Sequence, residues 1–322
     1  MSDELRDTTQ ASFRTSEIEP ITSSACSASS TGYSEGQISV FCRFRPSEQS
    51  SSFESLYQIL LNQTSIQINA DEDLIQKLGG VKKYHFSHVF EPSDTQEQVF
   101  SQCILKTLKQ LLVNGRNGLV FSYGVTNAGK TYTMVGSPEN PGVIKRVFSF
   151  LFDLKANVGK SELVTESLEG DLRLSNWFFM REAYGSDGSF FRPEHLVDIR
   201  VKFQAFEIYN EEIFDLQSES GRTVQRKKLV IKEVNRRIVF EDIITRHCTD
   251  LKSAWATVDR CLLHRSIVET LLNSNSSRSH CVFKILVEFV LENDREQVTI
   301  EKGINVVDLA GAERVRRTEN TG

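Results

Sequence analysis

The chain has 322 residues, of which only 18 are Gly and 6 are Pro, and this composition excludes a collagen-like or low-complexity protein. The net charge of −5 argues against a generally basic nucleic-acid-binding protein, and no apolar run is long enough to cross a bilayer. Six cysteines without a CxxC pair predict free thiols in a reducing compartment, with neither a zinc site nor a disulfide framework. We therefore expect a cytoplasmic protein with no nucleic-acid partner and no membrane partner.

The first 36 residues differ in composition from the rest of the chain. They contain 14 Ser or Thr residues, and six acidic residues against two arginines. Such a segment has too little apolar surface to offset the entropy lost on ordering it. We predict a disordered, acidic, Ser/Thr-rich leader over 1–36 and a globular domain over 37–322.

Strands and helices are mixed along the globular domain. Apolar runs, alternating or continuous, predict strands at 38–44, 56–69, 84–90, 118–123, 195–209, 229–234, 238–244, 280–291 and 298–308. Helices are predicted from a cap at Asp94 or Thr95 to about 113, after the loop that follows 118–123, and at 141–154 and 250–264. The run 118–123 is of the kind that is buried in a central sheet. This order predicts an α/β domain with a large, partly antiparallel sheet.

Residues 155–194 interrupt this pattern. They are rich in Gly, Ser and acidic residues and show no clear periodicity. A segment of this length inside a compact domain is usually an insertion or a functional loop. We predict an inserted loop here.

A phosphate-binding motif follows the apolar run 118–123. The pattern GxxxxGK[ST] is matched by Gly124, Val125, Thr126, Asn127, Ala128, Gly129, Lys130 and Thr131. Glycines let backbone N–H groups turn toward phosphate oxygens, Lys130 supplies a positive charge, and the Thr131 hydroxyl is suited to Mg²⁺. The competing interpretation is a Gly-rich turn with an exposed lysine. The preceding strand and the following helix favour the phosphate loop.

Two further segments fit a nucleotide site. Asp308 ends an apolar strand, as a metal-binding carboxylate would, and Gly311 could bring a backbone N–H close to a γ-phosphate. The sequence NSNSSRSH at 273–280 is polar. Taken alone, Asp308 could be an ordinary strand end and 273–280 a capping loop.

Together, the three segments resemble the kinesin motor domain. The family pattern is a GQTxxGKT-like phosphate loop, NxxSSRSH as switch I and DLAGSE as switch II. This chain has GVTNAGKT, NSNSSRSH and DLAGAE in the same order, and RFRP at 43–46 and FEIYNE at 206–211 match further family motifs. The resemblance covers about 37–322 and implies a P-loop NTPase fold whose central mixed, largely antiparallel β-sheet is flanked by helices.

Within the family, the chain resembles the mitotic kinesin-like proteins of the sixth family, which act at the central spindle. Val125 and Asn127 in the phosphate loop and the long insertion at 155–194 carry this resemblance. It implies microtubules as the partner, a location on the cytoskeleton at the spindle, and a role in cell division.

The resemblance also implies a role for each matching residue in a site for ATP and Mg²⁺. Expected at the nucleotide are Arg43, Arg45, Pro46 and Tyr132 beside the adenine, Gly124 to Thr131 around the phosphates, and Ser276, Ser277 and Gly311 at the γ-phosphate. Expected at the metal are Thr131, Ser277 and, through water, Asp308. Expected in hydrolysis are Ser277, Gly311 and the ion pair of Arg278 with Glu313, which closes the site.

The chain departs from the family pattern in two places. Ala312 replaces the serine of DLAGSE. The chain also ends at Gly322, before the family's main microtubule-binding helix, last strand, neck linker and dimerisation region, so we expect an incomplete motor domain with weak microtubule binding. The basic residues left to contact the acidic surface of tubulin are Arg222, Arg226, Lys227 and Lys228, which could equally be a solvated charge run.

Three functions are compared on this basis. The leading hypothesis is an ATP-hydrolysing microtubule motor domain, stimulated by microtubules when the domain is complete. The alternative is a truncated, non-motile nucleotide-binding kinesin-like protein. A nucleic-acid-stimulated P-loop ATPase is disfavoured by the acidic pI and by the lack of interleaved aromatic and basic residues.

Overall fold

The computed structural model describes residues 38–46, 57–60, 62–68, 80, 82–158, 195–218, 227–234, 237–271 and 278–312. The chain divides into two units, Met1–Ser39 and Val40–Gly322, and every described helix and strand lies in the second. The leader predicted at 1–36 and residues 159–194 of the predicted insertion lie outside the described residues. Both therefore stay predictions.

The described part of the chain mixes strands and helices, as the sequence predicts. The strands are β1 (Phe41–Arg43), β2 (Tyr57–Ile59), β3 (Ser65–Ile68), β4 (Lys83–His85), β5 (His88–Phe90), β6 (Gly118–Ser122), β7 (Leu196–Tyr209), β8 (Glu212–Asp215), β9 (Val230–Val234), β10 (Arg237–Glu241), β11 (Arg246–Cys248), β12 (His280–Glu292) and β13 (Gln297–Asp308). The helices are α1 (Gln96–Val99), α2 (Leu105–Asn114), α3 (Lys130–Met134), α4 (Val143–Ala156) and α5 (Leu251–Leu271). A π-helical turn, Phe100–Ile104, joins α1 to α2.

A central sheet has the strand order β11-β7-β12-β13-β6, with β8 paired to β7. Every pairing in it is antiparallel except that of β13 with β6. The predicted mixed, largely antiparallel sheet is therefore confirmed. The parallel register sets Asp308 beside Ser122. Because parallel strands end at the same edge, the loop after β6 and the loop after β13 leave the sheet side by side.

The main core lies between the helices and one face of this sheet. Phe203 of β7 stacks with Phe283 of β12 at 6.1 Å between ring centroids, and Phe148 of α4 meets Phe203 edge-on at 5.6 Å. All three rings are fully buried. Burial of side chains of this size contributes about 2 kcal/mol each, so this cluster helps to hold α4 against the sheet.

The opposite face of the sheet carries a smaller cluster. Phe206 and Val282 are register partners on β7 and β12, and they point away from the main core because side chains alternate along a strand. Phe240 of the β9–β10 hairpin packs on Phe206 at 4.6 Å between ring centroids. The strands predicted at 229–234 and 238–244 are confirmed as this antiparallel pair, which lies on this side of the sheet.

The structure corrects three details of the sequence analysis. In β6, the side chains of Leu119 and Phe121 are 62% and 49% exposed, so the prediction of a buried strand is wrong for one of its two faces. The helix predicted at 250–264 continues to Leu271. The single helix predicted after Thr95 contains the π-helical turn, which hydrophobic periodicity does not reveal.

Candidate nucleotide-binding site

The phosphate loop connects β6 to α3, and Asn127 and Gly129 are among its residues with positive φ. Gly129 has φ of 95° immediately before α3, and Asn127 has φ of 64°. Glycine adopts such a conformation without strain, and asparagine tolerates it better than most residues. The ammonium group of Lys130 donates hydrogen bonds to the carbonyl oxygens of Gly124 at 2.8 Å and Val125 at 2.7 Å. The Lys130 side chain therefore lies across the same loop that is predicted to bind the phosphates.

Thr131 and Asp308 meet where the two parallel strands end. The Thr131 hydroxyl donates to Oδ2 of Asp308 at 2.7 Å, and the Ser122 hydroxyl lies 3.5 Å from Oδ1. The Asp308 residue is only 2% exposed. A hydroxyl and a carboxylate oxygen are the kind of ligand that Mg²⁺ prefers, so this pair fits the implied metal. The fold thus brings together Thr131 and Asp308, the two described residues that are predicted to hold the metal.

A buried arginine contacts the same carboxylate from α5. Arg265 Nη1 lies 3.3 Å from Oδ2 of Asp308, and its Nη2 donates to the Ser279 hydroxyl at 3.3 Å. Its Nε also lies 3.6 Å from Oε1 of Glu207 on β7. The side chains of Arg265, Glu207 and Asp308 are all less than a tenth exposed. One guanidinium thus faces two buried carboxylates, and the surplus negative charge suits a cation nearby.

The RFRP segment reaches the phosphate loop on its other side. Arg45 Nη1 donates to the backbone carbonyl of Asn127. Arg43 donates to Gln96 Oε1 and to Thr133 Oγ1, both at 2.9 Å, and its guanidinium lies 5.4 Å from the centroid of the Tyr132 ring. These contacts hold Tyr132 between the arginine and solvent, in a position to stack on a base.

The burial of Arg43 affects its charge only weakly. Desolvation lowers the pKa of its guanidinium, while the nearby Tyr132 and Asp94 act in the opposite direction. An arginine remains charged in proteins, so Arg43 can still bind the ring electrostatically.

The loop that follows β13 borders the site on a third side. The amide of Ala312 donates to the carbonyl of Gly124 at 3.0 Å, which ties this loop to the phosphate loop. The amide of Ala310 donates to Nδ1 of His280 at 3.0 Å. Gly311 lies between the two anchored residues.

A cavity of about 510 Å³ lies among these segments. Its lining residues are Arg45, Pro46, Thr126, Asn127, Gly129, Lys130, Thr131, Tyr132, Asp308, Leu309 and Gly311. This volume falls within the range of small-ligand pockets. Most of its lining consists of residues that the sequence analysis selected for the nucleotide.

Other predicted residues stand apart from the cavity lining or outside the description. Arg43 does not line the cavity and instead lies behind Tyr132. Arg278 is described and exposed. Ser276, Ser277 and Glu313 lie outside the described residues, so the structure does not test the ion pair of Arg278 with Glu313.

The comparisons with known proteins decide the family. A model of the kinesin motor domain matches residues 43–322. The chain belongs to the kinesin motor domain family. A solved structure described as "Structure of a fast kinesin: Implications for ATPase mechanism and interactions with microtubules" superimposes with a TM-score of 0.65 at 24% identity, covering 88% of this chain and 68% of that one. That similarity confirms the predicted P-loop NTPase fold of the kinesin motor.

Curated kinesins show the same relationship over most of the chain. Kinesin-like protein KIF20B of Homo sapiens is 28% identical over 344 residues, which cover 90% of this chain and 19% of KIF20B. Kinesin-like protein KIF23 of Mus musculus is 31% identical over 335 residues, which cover 88% of this chain and 34% of KIF23. The similarity to KIF20B agrees with the predicted resemblance to the sixth kinesin family. The chain spans about a fifth to a third of the length of these relatives.

Two residues that shape this kinesin site, Arg265 and Gln96, were not selected from the sequence. Arg265 follows Val258 and Cys261 on the apolar face of α5, and a charged residue at that helical spacing was a usable signal. Gln96 donates to the carbonyl of Tyr132 at 2.6 Å and accepts from Arg43, contacts that nothing in the local sequence indicates.

No helix in the described part of the chain has the length and apolar character needed to span a bilayer.

Proposed function

We propose that this kinesin motor domain binds Mg·ATP in the described cavity and hydrolyses it in support of microtubule-based movement. The observation that carries the proposal is the meeting of Lys130, Thr131 and Asp308 at one edge of the sheet, around a cavity of nucleotide size. Two separate segments, the phosphate loop and the end of β13, together supply a phosphate-binding cation, a metal-binding hydroxyl and a metal-binding carboxylate, which is the set that an NTPase needs.

Each lining residue has a distinct task in this proposal. Tyr132 stacks on the adenine, and Arg45 and Pro46 border it. Lys130 exchanges its present bonds to the loop carbonyls for the β- and γ-phosphate oxygens. These residues bind and orient the nucleotide, so they act mainly on affinity.

Thr131 and Asp308 would hold the metal, with Ser277 as a further proposed ligand. When bound, Mg²⁺ neutralises the phosphate charge that develops during transfer. Gly311 would offer its amide to the γ-phosphate, with Ser276 on the opposite side. The pair of Arg278 with Glu313 would close the site and exclude bulk water, which strengthens every electrostatic contact inside.

The partner and the biological setting extend the same proposal. Tubulin surfaces are acidic, and Lys227 and Lys228 are described basic residues that lead into the β9–β10 hairpin. Lys228 already pairs with Glu212 at 2.6 Å, which leaves part of its charge compensated. The resemblance to the sixth kinesin family, with which the similarity to KIF20B agrees, supports a role on microtubules of the spindle during cell division.

The test of the proposal is Lys130→Ala, which removes the charge that faces the phosphates. Calorimetric affinity for Mg·ATP is expected to fall about 100-fold, because charge-assisted contacts contribute about 1.5–3 kcal/mol each. Basal turnover, and any stimulation of it by microtubules, should disappear with the binding.

Lys252→Ala is the matched control. Lys252 is an exposed lysine in the first turn of α5, so its replacement removes the same charge without touching the cavity. Equal affinities of the wild-type and Lys130→Ala chains for Mg·ATP would refute the nucleotide site. Nucleotide binding without microtubule-stimulated turnover would refute only the motor part of the proposal.

A further inference from the structure

The loop that follows Asp308 depends on contacts made outside the sheet. Ladder pairing between β12 and β13 ends at the pair Cys281–Asp308, so the amides beyond it need other acceptors. Residues Leu309 and Gly311 of this loop line the nucleotide cavity. The conformation of the loop therefore decides where its backbone groups meet a ligand.

His280 supplies one of these acceptors. It begins β12, directly before Cys281, and its half-buried ring reaches across to accept the Ala310 amide on Nδ1 at 3.0 Å. A ring nitrogen can accept a hydrogen bond only when it carries no proton, so the tautomer here bears its proton on Nε2. The contact joins the end of switch I to switch II by a neutral hydrogen bond.

A second acceptor holds the other end of the loop. The Ala312 amide donates to the carbonyl of Gly124 in the phosphate loop at 3.0 Å. Gly311 thus has an anchored amide on each side. Rotation of its peptide is limited by both neighbours, and loss of either contact would let the Gly311 amide turn away from the cavity.

We propose that His280 is a positioning residue that, by holding the Ala310 amide, fixes the Gly311 N–H toward the γ-phosphate. This inference rests on the proposed nucleotide site and adds a residue to it. The neighbouring Ser279 accepts from Arg265, which in turn contacts Asp308. Two consecutive residues, Ser279 just before β12 and His280 at its start, therefore support the two ends of the segment from Asp308 to Ala310, Ser279 through Arg265 and His280 directly.

The proposal predicts a difference between ligands that a purely structural role of His280 does not predict. Gly311 meets only the γ-phosphate, so a misplaced Gly311 amide weakens binding of a triphosphate and leaves binding of a diphosphate unchanged. A general loss of folding or packing would instead lower both affinities together.

A matched pair of variants separates these outcomes. In His280→Asn, the amide Oδ1 lies two bonds from Cβ, as Nδ1 does in histidine, and keeps the acceptor. His280→Leu has the same branching without an acceptor, and His280→Ala provides a second variant that lacks one. The contact is read by exchange of the Ala310 amide in a chain labelled selectively with ¹⁵N-alanine. The ligand readout is calorimetric affinity for Mg·ADP and for a non-hydrolysable Mg·ATP analogue.

We expect His280→Leu and His280→Ala to speed exchange of the Ala310 amide about tenfold, the change that accompanies loss of one hydrogen bond. They should weaken the ATP analogue about tenfold and leave ADP affinity as in the wild type. His280→Asn should match the wild type in both measurements.

Unchanged amide exchange in both variants without an acceptor would overturn the proposal. So would an equal loss of ADP and ATP-analogue affinity, or a failure of His280→Asn to restore the preference for the triphosphate. If the wild-type chain bound neither nucleotide, the proposed function itself would fail, and the γ-phosphate role of His280 would fall with it. The exchange measurement would then still decide whether His280 holds the loop.

Discussion

Arg265 is a buried cation whose partners are also buried. It contacts Asp308 and Ser279 at 3.3 Å and Glu207 at 3.6 Å, and its own side chain is 7% exposed. Taking such charges out of water costs several kcal/mol each, and only their mutual attraction and hydrogen bonds offset that loss. The cluster is therefore more valuable for fixing the Asp308 carboxylate than for adding net stability.

This view predicts that Arg265→Met is strongly destabilising. Removing the guanidinium leaves two carboxylates buried without their cation, and such losses cost about 3–5 kcal/mol of the free energy of unfolding. Urea unfolding measures this change. Arg260→Met is the control, because Arg260 is an exposed arginine on the same helix, and it should change stability by less than about 0.5 kcal/mol.

A companion variant tests the cause of the loss. Adding Glu207→Gln to Arg265→Met removes one of the stranded charges and should restore part of the stability. If Arg265→Met were as stable as Arg260→Met, the buried cluster would not be an energetic unit.

Among the secondary-structure elements, α1 shows how a local signal decides a helix start. The Thr95 hydroxyl accepts from the Gln98 amide at 3.2 Å, and the Gln98 side chain accepts from the Thr95 amide at 2.7 Å. These reciprocal bonds form a capping box and satisfy two amides that a helix start leaves unpaired. Asp94, the other predicted cap, instead accepts from the Glu91 amide at 2.6 Å.

Thr95→Ala should therefore lower the free energy of unfolding by about 1 kcal/mol. Ser266→Ala is the control, because it also removes a hydroxyl but should not lower the free energy of unfolding. Ser266 lies inside α5, where its hydroxyl donates to the Leu262 carbonyl, and alanine at a helix interior is neutral or slightly favourable. Urea unfolding measures both variants. An equal change in the free energy of unfolding for the two would contradict the capping box.

Elements with a strong period were predictable from the sequence, and those shaped by neighbours were not. The apolar runs at 280–291 and 298–308 predict β12 and β13 nearly to the residue, because β12 is buried along most of its length and β13 over its second half. The half-exposed state of β6 depends on what covers the second face of the sheet, which no local pattern specifies. The π-helical turn, in which Phe100 and Ile104 are buried, is likewise not marked by any local pattern.

The candidate site divides in the same way. Lys130, Thr131 and Asp308 were predictable because a motif or a strand end marks each of them. His280 and Arg265 act through contacts that span 30 and 43 residues of sequence. The register of β12 with β13 brings His280 to its partner, and the position of α5 against the sheet brings Arg265 to Asp308. Sequence patterns thus located the groups predicted to touch the nucleotide, while the structure was needed to find the groups that hold them.

At the scale of the whole molecule, two buried thiols can report how nucleotide binding affects opening of the core. Cys261 on α5 and Cys281 on β12 belong to the main core and are at most 1% exposed. Burial raises the pKa of Cys261 to about 12 and raises the pKa of Cys281 as well. The thiolate is the reactive form, so neither residue should react with a maleimide at neutral pH until the core opens.

Labelling of these two cysteines should therefore report global unfolding and its response to ligand. When opening is fast relative to labelling, the rate follows the population of the open state, and both residues should share one rate and one dependence on urea. Mg·ATP at 100 times its Kd should slow both about 100-fold, because it binds only the folded chain. At the same nucleotide concentration, Lys130→Ala should reduce this protection to about twofold, because its Kd is expected to be about 100-fold higher, and should leave the rate without nucleotide close to that of the wild type. Mass spectrometry of the labelled peptides makes the measurement, and faster labelling of one cysteine than of the other would show that α5 and β12 open separately and contradict a single cooperative core.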